Sequence, residues 1–118
     1  MKAPDAIVAL AALAQESRLA VFRLLVRAGP EGVAAGAIAE DLGVAPATLS
    51  FHLKELSRAG LVTARPDGRF IRYAANFATM GDLLQFLTED CCAGRPELCR
   101  PRAAPVVVKP PARRKTPA

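Results

Sequence analysis

Residues 46–60 read PATLSFHLKELSRAG, and this stretch decides the fold. Pro46 suits the first turn of a helix, where its missing N–H is no loss. At 100° per residue, Leu49, Leu53 and Leu56 fall in one narrow stripe that must face a core. Ala47, Phe51 and Arg58 lie opposite, with Ser50 and Lys54 on one shoulder. His52, the single histidine, sits about 60° from the stripe. Immediately upstream, VAAGAIAEDLG (33–43) reads as a short helix ending at Gly43, and a three-residue turn leads to Pro46. Two short helices joined by a tight glycine-containing turn are the signature of a helix-turn-helix.

Working outward, PDAIVALAALA (4–14) predicts a helix with an acid in its first turn that is apolar nearly all round, as expected of a helix buried between partners. ESRLAVFRLLVRAGPEG (16–32) predicts a second helix, with Leu19, Phe22, Leu25 and Val26 at helical spacing and a stop at Gly29-Pro30. Downstream, GLVTARPDGRFIRYAA (60–75) alternates on both sides of PDGR, and the Asp67-Gly68 pair suits a tight hairpin. A two-stranded ribbon after such a helix pair is a wing. A last helix is expected from TMGD (79–82), with Thr79 as cap and Asp82 closing a capping box. Met80, Leu83, Leu84 and Leu87 form its wide apolar face, which serves either a dimer interface or closure of the monomer core. The expected fold is mainly α with a β-hairpin wing: a winged helix-turn-helix of five helices and a two-stranded ribbon. Residues 1–90 make the DNA-binding and dimerisation domain, 91–100 a cysteine segment, and 101–118 a basic Pro-rich tail.

The chain of 118 residues carries a formal net charge of +5, but the distribution matters more than the sum. Before residue 100, ten Lys or Arg meet eleven acids, a balance of −1, while the remaining six basic residues lie in the acid-free stretch from Arg100 onward. With five prolines, that stretch cannot hold a helix; it serves as a solubilising extension or adds non-specific attraction to phosphates. Between residues 46 and 74, five basic and two acidic residues give a local +3. Nucleic-acid binding rests on this patch. Phe51 either covers a neighbouring element or meets thymine methyls in a major groove, with Ser50 and Lys54 reaching base edges or phosphates. His52 either hydrogen-bonds its neighbours from a half-buried position or donates to a DNA phosphate. Arg65 and Arg69 are placed for backbone or minor-groove contact.

All three cysteines, Cys91, Cys92 and Cys99, fall within LTEDCCAGRPELCRP (87–101). An odd count in one window suits neither a disulfide framework nor a secreted scaffold, and with no signal peptide or membrane-length apolar run the expected location is a reducing cytoplasm, without a membrane. Three thiolates match trivalent arsenic or antimony, which form three bonds. Zinc would lack a fourth protein ligand short of Asp90, Glu97 or water, whereas Cd, Hg, Pb or Cu(I) also suit soft sulfur. Adjacent Cys91 and Cys92 point about 100° apart on a regular helix, so both can bind one atom only if the helix end unwinds. An enzyme is not expected: the chain has no C-x-x-C pair, no histidine near the thiols and no phosphate-cradling loop.

The stretches ALAQESRLAVFRLLVRAG (12–29), IAEDLGVAPATLSFHLKELSRAGLV (38–62) and DGRFIRYAANF (67–77) together resemble the ArsR/SmtB family of winged-helix metalloregulators, over roughly residues 6–92. The resemblance implies a homodimer built on the first and last helices that represses by holding double-stranded operator DNA and lets go on metal binding. It implies DNA contacts from Thr48, Ser50, Phe51, His52 and Lys54 on the recognition helix and from Arg65, Arg69 and Arg72 on the wing. The third helix lacks the Cys-x-Cys pair of one arsenic-responsive branch, and the last helix lacks the histidines of a zinc-responsive branch. The chain is similar instead to a branch whose arsenic site is a Cys-Cys pair at the end of the last helix plus one later cysteine. That implies As(III) or Sb(III) as inducer at Cys91, Cys92 and Cys99. Other thiophilic ions (Cd, Pb, Cu(I), Zn) or thiol oxidation remain the alternative signal.

Overall fold

The computed structural model describes residues 1–95 and 98; Cys99 and the basic stretch 101–118 lie outside the described residues. Helix α1 spans Ala3–Leu13 and α2 spans Glu16–Ala28. Strand β1 (Val33–Ala34) leads directly into α3 (Ala35–Leu42), which is followed by α4 (Pro46–Arg58). Strands β2 (Val62–Asp67) and β3 (Phe70–Ala75) form the wing, and α5 (Phe77–Thr88) ends near a short 3-10 turn at Cys91–Gly94.

The core has the composition expected from the leucine stripe. Leu49, Leu53 and Leu56 of α4 meet Val21, Phe22 and Leu25 of α2 and Ile38 of α3, all buried. Burying each of these large side chains contributes roughly 1.5–3 kcal/mol. The two helix boundaries flanking the turn follow local chemistry. Gly43 takes a left-handed conformation (φ +65°) that closes α3, with the Val44 N–H donating to the Ala39 carbonyl at 3.0 Å. Pro46 then opens α4 as expected.

Three expectations are corrected. The sheet has three antiparallel strands in the order β1-β3-β2, because Val33 and Ala34 pair with Tyr73 and Arg72 before the chain turns into α3. Sequence reading merged those two residues into the helix, since a two-residue strand has no periodicity of its own. The hairpin turn is Gly68-Arg69, flanked by the pair Asp67 and Phe70, and in it only Gly68 has a positive φ, at +65°. Finally, α5 is capped by Asn76, whose side chain accepts from the Thr79 N–H at 3.2 Å, so Thr79 lies in the first turn and is not the cap. Asn76 also donates its own N–H to the Leu61 carbonyl at 2.8 Å, tying the start of α5 to the base of the wing.

Gly32 fixes how the sheet closes. Its φ is +77°, and a Cβ there would lie 2.5 Å from the Tyr73 carbonyl oxygen. Only a residue without a side chain lets the loop after α2 approach β3 this closely.

Candidate nucleic-acid interface and thiol segment

Helix α4 divides cleanly into two sides. Leu49, His52, Leu53 and Leu56 are buried, whereas Ala47, Thr48, Ser50, Phe51 and Lys54 are exposed, Phe51 by 55%. Arg58 lies at the far end of the helix, 3.1 Å from the Glu55 carboxylate. The exposed side thus offers hydroxyls, one cation and one aromatic. Those are the groups that read base edges, hold phosphates and contact thymine methyls.

His52 does not form through Nδ1 the hydrogen bond to its neighbours that one expectation gave it. It is buried, with its ring centroid 5.8 Å from that of Phe51, and its Nδ1 has no hydrogen-bond partner. A bare acceptor costs less to bury than a bare N–H, so the neutral ring should carry its proton on Nε2. Burial lowers the pKa of the ring below the ordinary histidine value, and the nearby positive charge of Arg18 lowers it further. Arg18 is held in place at the α1–α2 corner, its Nε donating to the Ala12 carbonyl at 2.6 Å and its N–H to the Gln15 side chain at 2.8 Å.

On the wing, the three arginines separate into two kinds. Arg65 donates to the Glu31 carbonyl at 3.2 Å, and Arg72 donates to the Glu31 and Gly32 carbonyls at 3.3 and 3.4 Å. Arg72 also lies 3.8 Å from the Asp67 carboxylate. These two side chains brace the wing against the loop after α2 while keeping their charge at the surface. Arg69, in the turn, has no hydrogen bond or ion pair among the described residues. The bracing was not legible in the sequence, because it uses backbone carbonyls 34 and more positions away.

Beyond Thr88 the helix does unwind, as binding of one atom by adjacent cysteines requires. Asp90, Cys92 and Ala93 adopt left-handed conformations with φ of 56°, 56° and 51°, followed by Gly94 at 86°. This turn brings the Cys91 and Cys92 sulfurs to 3.1 Å. Cys92 is a free thiol, and both residues are half-buried. The described residues contain no cluster of three or more His, Cys, Asp or Glu arranged to hold a metal; Cys99 lies outside them.

A second exposed surface, on α1 and α5, is apolar. Helices α1 and α5 pack together. Ala6 and Ala9 of α1 and Leu83 of α5 face inward, while Ile7, Val8 and Leu10 of α1 and Leu84 and Leu87 of α5 are exposed. Of the apolar face expected from Met80, Leu83, Leu84 and Leu87, Leu83 is buried in the core, Met80 is partly buried against it, and Leu84 and Leu87 are exposed.

The winged helix-turn-helix architecture recurs in known proteins. A family described as a helix-turn-helix domain matches residues 13–65. An uncharacterized HTH-type transcriptional regulator of Bacillus subtilis, YceK, is 41% identical over 58 residues, covering 49% of this chain and 57% of that protein. A putative arsenical resistance operon repressor, ArsR, of Halobacterium salinarum is 39% identical over 64 residues, covering 54% of this chain and 49% of that protein. The chain therefore spans about half the length of these curated relatives. Among solved structures, the homodimeric winged helix-turn-helix DNA-binding domain of Mb0332 from Mycobacterium bovis, a possible ArsR-family transcriptional regulator, is 30% identical. That match has a TM-score of 0.59 and covers 74% of this chain and 81% of that domain. The chain belongs to the ArsR-like family of winged helix-turn-helix proteins.

Proposed function

We propose that this protein is a transcriptional repressor that binds operator DNA as a homodimer and releases it when As(III) or Sb(III) binds Cys91, Cys92 and Cys99. The observation that carries the DNA-binding half is the division of α4: a buried leucine stripe fixes the helix, and Thr48, Ser50, Phe51 and Lys54 stand free on its other side. The exposed apolar residues of α1 and α5 support a dimer across those helices, which would place two copies of α4 about one turn of B-DNA apart or a multiple of it.

The donor set supports the inducer half. When bound, a trivalent metalloid supplies three bonds to sulfur, and the Cys91 and Cys92 sulfurs already lie 3.1 Å apart at the end of a helix of the proposed dimer interface. Both must be reduced thiols to serve as ligands. The close approach of the Cys91 and Cys92 sulfurs also supports a second reading in which the same cysteines report oxidation, with the DNA-binding half unchanged. One titration separates them: release of the reduced dimer from a duplex it has itself selected, against arsenite, antimonite, cadmium, zinc and peroxide. Release by arsenite or antimonite at the lowest concentration supports the metalloid reading. Release by peroxide alone overturns it.

A further inference from the structure

The wing carries an aromatic side chain that the proposed function does not use. Strand residues alternate between faces, so the pairs Asp67–Phe70, Arg65–Arg72 and Thr63–Ala74 share one face, opposite the one holding buried Val62 and Ala75. Phe70 is the residue of that face next to the turn, and it is 65% exposed. Behind it, Arg65 and Arg72 hold the hairpin to the Glu31 and Gly32 carbonyls. Ahead of it, Arg69 stands in the turn with no hydrogen bond or ion pair among the described residues.

We propose that Phe70 is a wedge that enters the minor groove of bound duplex DNA beside Arg69 and partly unstacks one base step, an inference that rests on the DNA-binding function proposed above. An exposed phenylalanine alone would be ordinary. Here it stands on a face shared with two arginines and one acid, Asp67, which lies 3.8 Å from Arg72, and it adjoins a third arginine. The tip thus keeps a net positive charge and suits an occupant that is negatively charged outside and apolar within, which is a description of a groove between two phosphate backbones. A second copy of the same tip would bring like charge against like charge. The bracing matters because a wedge must push against stacked bases: a hairpin held only at its base would bend away. Pro66 and Ile71, also exposed, occupy the other face of the same narrow tip. Unstacking is easiest at pyrimidine–purine steps. Phe70 would therefore impose a preference for TA or CA steps at a position that α4 does not touch, and would bend the duplex away from the wing.

The test uses the full reduced chain and duplexes that it enriches from a random-sequence pool, with affinity measured by anisotropy and bending by energy transfer between end labels. Phe70→Ala should lower affinity about tenfold. It should also straighten the duplex and erase the flexible-step preference, leaving the bases selected through α4 unchanged; Phe70→Trp should preserve all three. Phe70 is exposed, so neither change should disturb folding, and circular dichroism checks this. If Lys54→Ala weakens binding while Phe70→Ala changes neither bend nor step preference, the wedge is refuted and the DNA-binding function stands. If Phe70→Ala instead alters the sedimentation of the DNA-free protein, the tip is a protein contact and the wedge is refuted. If the wild-type chain enriches no duplex at all, the DNA-binding reading falls, and the wedge with it.

Discussion

Between Ala35 and Ala75, where the helix pair and the wing lie, only glycines have positive φ; between Asp90 and Gly94, three non-glycine residues do. The first region is built from unstrained elements that agree with their sequence: a glycine closes α3, a proline opens α4, and a glycine makes the hairpin turn. The second holds Asp90, Cys92 and Ala93 in conformations that cost roughly 1 kcal/mol each for residues with a Cβ. A surface that reads DNA needs one geometry. A segment that responds to a ligand needs at least two of nearly equal energy, because a ligand shifts an equilibrium only through its different affinity for the two forms. On this comparison, the thiol turn is the pliable part and the helix pair with its wing the fixed part.

The largest effect that could break the comparison is in the core. Leu56→Ala, at a fully buried position facing α2 and α3, should cost about 3 kcal/mol in urea unfolding. Cys92→Ala should stay within about 0.5 kcal/mol of wild type, having little packing to lose. Comparable losses at both sites would mean that the thiol turn is as firmly built as the core. Next in size is Gly32→Ala. Its Cβ would meet the Tyr73 carbonyl at 2.5 Å in a backbone conformation already unfavourable for alanine, and a loss of about 2 kcal/mol is expected. Stability unchanged by this substitution would show that the loop after α2 does not hold the wing.

Much of the fixed part was legible in the sequence, for a physical reason. The leucines at 49, 53 and 56, Gly43 and Pro46 act locally, through periodicity and backbone preference, and each is found where it was expected; the hairpin turn falls one residue later than expected, at Gly68-Arg69. What escaped notice depends on partners far along the chain. Strand β1 exists only because β3 lies beside it, and the roles of Arg65 and Arg72 are set by carbonyls of the loop after α2. The choice of Asn76 over Thr79 as cap turned on two residues that can both cap a helix. Asn76 was selected by its backbone bond to Leu61, which no local pattern announces. At the thiol segment the need for unwinding was legible from the adjacency of Cys91 and Cys92, whereas the run of left-handed residues that achieves it was not.

A smaller effect probes whether the fixed part has a soft point of its own. His52 is buried with a pKa lowered first by burial and then by Arg18. The unfolded chain therefore binds this proton more readily than the folded one, and stability should fall as pH drops below the ordinary histidine value of about 6.5. The fall should continue until the lowered folded-state value is passed. His52 is the single histidine of the chain, so it is expected to account for the slope in that window. His52→Gln should flatten thermal stability between pH 7 and the acid limb, as followed by calorimetry in matched buffers. A slope retained in the variant would assign the acid sensitivity to another group.

The smallest expected effect has the opposite sign and makes the sharpest contrast with Gly32. At Gly32 the native conformation requires the absence of a Cβ, so adding one harms; at Ala93 a Cβ is present where the backbone disfavours it, with φ at 51° and ψ at 40°. Ala93→Gly should relieve that strain, offset in part by the greater freedom glycine gives the unfolded chain, for a net gain of roughly 0.5 kcal/mol. The hydrogen bond from the Arg95 N–H to the Cys92 carbonyl, 2.9 Å long, closes this turn and reports on it directly. Exchange of the Arg95 amide should slow by about twofold in the variant. A turn stabilised in this form also resists rearrangement: if gathering the thiolates requires a different backbone, Ala93→Gly should raise the arsenite concentration needed for DNA release, and if the left-handed form is the binding form, it should lower it. An Arg95 amide that exchanges faster in the variant would show that the left-handed residues are not the strain that keeps this end of the molecule pliable.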